Sequence, residues 1–231
     1  GGAGAGSAGA GGSSSAKPVI DSDLSRGPHE IVPGGRLYYL GCDTTYGFTA
    51  SYALASDAGI IVVDPGLRYD TLAESLRAVR LDVAQVKIAV ITHRHADHWF
   101  AARELHDKTG ATIVAHREAE KWLTTAADPL QYYTVYSTPI PTVPTLGEIK
   151  TVDDGDVIEL GDAKLEVLWA PGHTTDSIML VAIRAVCMCS CTMDVLRMRA
   201  TDCLASLTCD QTKRSSSSGS STTSSTPSIP A

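Results

Sequence analysis

The sequence contains no apolar run approaching the length needed to cross a bilayer, so no membrane association is expected. It lacks a basic excess: 26 Asp and Glu outweigh 19 Lys and Arg, for a net charge of −7. A nucleic-acid-binding face wants the opposite balance, and no nucleic-acid partner is expected. The first residues lack the charged and apolar regions of a secretory signal, no internal repeat is evident, and nothing in the chain reads out a compartment. Evenly scattered cysteines are missing too. Cys42 stands alone, whereas Cys187, Cys189, Cys191, Cys203 and Cys209 crowd into one stretch, unlike the framework of a small disulfide domain.

Apolar side chains are scarce at both ends. Residues 1–16 are only Gly, Ala and Ser, and residues 215–231 are mostly Ser and Thr with two prolines. Such segments bury too little surface to offset the entropy of ordering them. Tails are therefore expected over 1–16 and 211–231, with a single domain over 17–210, ample for one core.

Within that domain, strand signals fall at 36–40, 49–54 and 59–63, with the composition of a hairpin turn between the last two. Asp64-Pro65-Gly66 breaks the third strand. Leu72, Leu76 and Val79 have helical spacing within 71–80, and the continuous apolar run 86–91 has the mark of a buried strand. A helix over 101–108, a strand over 112–115 and a short helix over 117–124 follow. Residues 125–147 hold four prolines and three tyrosines without a clear period, as either a lid or a surface excursion would. Strands are expected again at 157–160, 164–169 and 178–183. The order implies a layered α/β architecture with helices outside a sheet.

The chemistry concentrates after the strand 86–91, in Thr92-His93-Arg94-His95-Ala96-Asp97-His98-Trp99. Zinc takes imidazole nitrogen and carboxylate oxygen, and a catalytic site keeps one position for water. His93 and His95 alternate along an extended segment, so they project the same way and can share an ion. Asp97 and His98 sit where the chain is expected to turn in a loop, and can face a second ion beside the first. Pro171-Gly172-His173-Thr174, at the end of a later strand, supplies a third imidazole for the first.

Together, the strand ending in Asp64-Pro65-Gly66, the Thr-His-x-His-x-Asp-His run and the later Pro-Gly-His-Thr resemble the metallo-β-lactamase superfamily, over about residues 34–183. The resemblance implies an αββα sandwich with one or two Zn2+ ions at an edge of the sheets. It implies His93, His95 and His173 on the first ion, and Asp97 and His98 on the second. Asp64 would orient the site by hydrogen bonds; its plain alternative is a turn-forming residue. The pattern departs from the family beyond His173, where no further histidine occurs to complete the second ion. Asp194 falls near the spacing of the family's metal-bridging Asp, although Met193 precedes it where Gly is usual. Cys189, Cys191 and Cys203 lie in the region where some lactamases carry a Cys ligand. From about Arg184 the resemblance stops, as a splice product or a gene-model error would make it, and the C-terminal half is expected to be incomplete.

The expected function is a zinc-dependent hydrolase of small molecules, directing a metal-bound hydroxide at an acyl, lactam or thioester bond. Asp97 would orient that hydroxide and pass a proton to the leaving group. Trp99, Tyr132, Tyr133 and Tyr136 could line a pocket, or serve respectively as core and surface residues. The alternative is a truncated, weakly active or inactive member holding at most one zinc. The oligomeric state is left open.

Overall fold

The computed structural model describes Ser25 and residues 27–43, 49–125, 145–182 and 187–188. A seven-stranded sheet runs in the order β1-β2-β3-β4-β5-β6-β7. Its strands are β1 (His29–Glu30), β2 (Leu37–Asp43), β3 (Thr49–Ser56), β4 (Gly59–Val63), β5 (Val86–Ile91), β6 (Thr112–His116) and β7 (Lys150–Val152). β1 to β4 form an antiparallel meander, and β4 to β7 pair in parallel. The change follows from the connections. Antiparallel neighbours need only turns, whereas parallel ones need crossovers, here supplied by α1 (Tyr69–Ala78), α2 (Ala96–Thr109) and α3 (Glu120–Thr124). A second, antiparallel sheet contains β8 (Val157–Leu160), β9 (Ala163–Trp169), β10 (Ile178–Ala182) and β11 (Cys187–Met188).

The side-chain period of 2 explains why β4 reads as an unbroken apolar run and β5 as one interrupted only by the exposed Lys87. Ile60 and Val62 face one core with Leu72, Leu76, Trp99, Ala102 and Leu105 from the helices. Ile61 and Val63 face the opposite core with Leu165, Val167, Ile178 and Leu180 from the second sheet. Beyond the exposed Lys87, both faces of these strands are largely covered, so no polar alternation survives in sequence. β9 instead buries Ala163, Leu165 and Val167 while Lys164 stays exposed. The described residues thus form an α/β sandwich with one helical layer on two stacked sheets. The outer helical layer expected on the second sheet falls outside them, as do the expected terminal tails. No helix among the described residues is long and apolar enough to cross a membrane.

Most elements lie where the apolar pattern places them. β4, β5 and β8 match their expected spans residue for residue. The principal difference is α2, which begins at Ala96 rather than near 101. Asp97 and His98 therefore stand on the first turn of a helix, not in a loop. This helix ends at Gly110, whose φ of 71° lets its N–H reach the His106 carbonyl. Segment 117–124 divides into a 3-10 turn, Arg117–Ala119, and α3. All the chemistry gathers where β4, β5 and β9 end, the edge at which parallel strands of α/β sheets deliver their loops.

Candidate metal centre

β5 ends at Ile91, and the extended chain beyond it carries His93 and His95 to one side with Arg94 on the other. The Nε2 of His93 lies 3.2 Å from the Nδ1 of His95. The loop between β9 and β10 brings the Nε2 of His173 to 2.9 Å from that same Nδ1. All three ligand atoms lie within 4.8 Å of one another. Tetrahedral zinc with Zn–N bonds near 2.0–2.1 Å holds its nitrogens about 3.3 Å apart, close to the two spacings around His95 Nδ1. Its partners also fix a tautomer. His93 turns Nε2 to the cluster and its Nδ1 to the Thr92 hydroxyl at 3.1 Å, and that hydroxyl donates to Asp64 Oδ2 at 2.7 Å.

The electrostatics favour neutral imidazoles. Burial, followed by the neighbouring His98, His95 and His173, holds His93 well below the usual histidine range. Burial and His173 bring His95 down to about 4, and burial with His98 lowers His173. Neutral rings are what a metal requires. They also make acid costly to the metal-free fold. Between about pH 4 and 6.5 the unfolded chain binds a proton at His95 that the folded chain refuses, so stability falls as pH drops through that window. His98 has the opposite sign. Burial pulls it down, but the charge and hydrogen bond of Asp64, with Asp97, raise it overall. Its contribution is present at acid pH and is lost as pH rises through its elevated pKa. Comparing metal-free wild type with His95→Gln isolates the first effect: the wild type's melting temperature should fall more steeply from pH 6.5 to 4. Parallel curves would contradict it.

The second position is assembled on α2. His98 Nε2 and Asp97 Oδ2 lie 3.6 Å apart, and the His93 and His98 rings are 4.0 Å apart between centroids, so this pair adjoins the trio. Asp97 accepts the Thr49 hydroxyl at 2.5 Å. Asp64 is fully buried and settles between its two expected roles as an orienting residue. Its carboxylate accepts the Thr92 N–H at 2.8 Å and the His98 Nδ1–H at 2.9 Å, which leaves Nε2 of His98 facing the site. The backbone there has φ 51°, a left-handed conformation unusual for Asp. Asp64 N–H to Val90 O at 2.8 Å and Ser51 Oγ to Asp64 O at 2.6 Å secure it.

Sequence reasoning missed the residues that join the two ligand-bearing loops. Asp176 is fully buried and accepts both the backbone N–H and the Nη1 of Arg94. The Ile178 N–H donates to the Thr92 carbonyl at 2.9 Å. A sequence signal was present: an Asp three residues past His173, and an Arg between two metal-capable histidines. Trp99 resolves as core: it is fully buried, and its Nε1–H donates to the Arg94 carbonyl. Asp194, Tyr132, Tyr133, Tyr136, Cys189, Cys191 and Cys203 lie outside the described residues.

A two-sheet α/β sandwich with imidazoles converging at the strand ends has the architecture of the metallohydrolase sandwich class. Comparison with known families agrees, since the model of the metallo-beta-lactamase superfamily matches residues 44–185, more than half of the chain. The chain belongs to that superfamily. It is 34% identical over 134 residues to an uncharacterized protein of Mycobacterium leprae, covering 55% of this chain and 59% of that protein. To an acyl-coenzyme A thioesterase of Gallus gallus it is 32% identical over 140 residues, 52% of this chain and 48% of the relative. Among solved structures, a metallo-beta-lactamase from Elizabethkingia meningoseptica superposes with a TM-score of 0.57 at 26% identity, over 68% of this chain and 55% of that one. The chain thus spans roughly half the length of these relatives.

Proposed function

We propose that the protein is a zinc-dependent hydrolase of small molecules, cleaving an acyl bond of the lactam or thioester type. Membership of the superfamily supports the hydrolase class. The observation that carries the reading is the convergence of His93 Nε2, His95 Nδ1 and His173 Nε2 around one centre, with the buried Asp97 and His98 beside it. His93, His95 and His173 would hold a zinc ion, with Asp97 and His98 able to hold a second, and the metal would supply Lewis acidity and acidify the attacking water.

The chain's own groups then do the positioning. Asp97, anchored by the Thr49 hydroxyl, accepts a proton from the attacking water and returns one to the leaving group. Asp64 holds the ring of His98 in place through Nδ1. Thr92 steadies His93 from the side away from the site. The named relatives include a thioesterase and a metallo-beta-lactamase, which makes thioesters and β-lactams the first substrates to offer.

The test combines metal counting on the purified protein with hydrolysis of nitrocefin and of an acyl-coenzyme A thioester. We expect at least one zinc per chain and turnover of one substrate. Asp97→Ala should retain the first zinc and lose turnover. Absence of bound zinc overturns the reading, and zinc without turnover of either substrate favours the weak, one-zinc alternative.

A further inference from the structure

We propose that Asp176 is a positioning residue that sets the geometry of the imidazole trio through Arg94. The inference rests on the zinc reading above and extends it to residues that touch no metal. His93 and His95 follow β5 of the large sheet, whereas His173 follows β9 of the small one. Nitrogens at 2.9 and 3.2 Å from a common atom require these two loops to keep register to a fraction of an ångström.

Asp176 supplies that register. Its Oδ2 accepts the Arg94 backbone N–H at 2.7 Å, and its Oδ1 accepts Arg94 Nη1 at 2.8 Å. The same Nη1 reaches Thr175 Oγ1 at 3.1 Å. Arg94 stands between His93 and His95, so fixing its backbone and its side chain from one carboxylate fixes both rings against the His173 loop. The clamp is braced from behind. The Arg94 carbonyl accepts Trp99 Nε1–H at 2.8 Å, and the guanidinium lies 5.0 Å from the centre of the Trp122 ring. A salt bridge with one fully buried partner is a poor source of stability, because desolvation offsets much of the attraction. It is a strict fixer of relative position, since a carboxylate bonded to both backbone and guanidinium accepts only one arrangement.

Cobalt(II) titration of the metal-free protein tests this, with the d–d absorption reporting ligand geometry and a competing chromophoric chelator reporting affinity. Melting temperatures are taken in parallel. Asp176→Ala should weaken cobalt binding by roughly 10–100-fold, the range for residues that orient ligands, and should change the d–d band of the folded protein. Arg94→Ala keeps the backbone bond to Asp176 and should lose less than about tenfold. Asp176→Asn keeps an acceptor without its charge and should fall between them. Should Asp176→Ala fail to fold, the other two variants carry the comparison. A lowered melting temperature with wild-type affinity and spectrum in the folded variants overturns the proposal and leaves the metal site standing. A wild type that binds no cobalt overturns both.

Discussion

Replacing His95 by alanine should abolish tight zinc binding while leaving the fold intact. Its Nδ1 is the atom the other two nitrogens approach, at 3.2 Å from His93 and 2.9 Å from His173, so its loss leaves a two-ligand remnant. The penalty should exceed the 10–100-fold typical of outer partners, and an affinity lowered by more than about a hundredfold is expected. The fold should tolerate the change. His95 is the N-cap residue of α2 but makes no side-chain capping bond, so alanine removes none. It also removes one of three acceptor nitrogens crowded together without a cation. The metal-free variant should accordingly melt at or above the wild-type temperature near neutral pH. Competition with a zinc chelator and thermal melts measure the two arms, and zinc affinity within tenfold of wild type would sink the three-imidazole assignment.

Trp99→Ala should have the largest effect on stability, about 3–5 kcal/mol. Trp99 heads the fully buried side chains by volume and sits between α2 and the large sheet, with Phe100 edge-on at 5.3 Å. Truncation leaves a cavity among Leu72, Leu105 and their neighbours and deprives the Arg94 carbonyl of its donor. The first loss is a packing cost; the second loosens the loop between His93 and His95. Urea unfolding of the metal-free protein reads the stability change through its midpoint. A destabilisation below about 1 kcal/mol would place Trp99 outside a tightly packed core.

The sheets were legible in the sequence where burial was symmetrical or strictly alternating. Apart from the exposed Lys87, β5 is apolar because both its faces are covered, and its bounds follow from the residues that flank the run. β1, β7 and β11 escape detection since two or three residues cannot display a period. The start of α2 was hidden for a different reason. His95 offers no side-chain cap, and the first turn is occupied by residues whose composition suggests metal ligation rather than a helix. Tertiary bonds hold that turn in place: Gly66 N–H donates to the His98 carbonyl, and Ala101 N–H donates to the Gly66 carbonyl. The donor residues of the candidate site were legible because zinc restricts ligand type and spacing so strongly. Their supports were legible only in part: Asp64 was expected to orient the site, whereas Asp176 was not singled out. Asp64 and Asp176 lie 28 and 82 positions from the N–H groups of Thr92 and Arg94 that they accept, so residue types hint at a role while the partners are set only by the fold.

The backbone bond from Ile178 to Thr92 carries a consequence for the order in which the molecule is made. It ties the first strand after the His173 loop to the residue preceding His93, across the boundary between the two sheets. His95 and His173 are 78 positions apart. A ribosome adding 5–20 residues per second exposes the third imidazole roughly 4–16 s after the second. Until then the nascent chain offers two of the trio's imidazoles, His93 and His95, with Asp97 and His98 next to them in sequence. An ion held by all three imidazoles would be captured only after the small sheet docks on the large one, unlike the metal of a zinc finger, which organises an otherwise unfolded chain. The imidazole trio is thus completed late, once β9 and the loop after it have been made and docked.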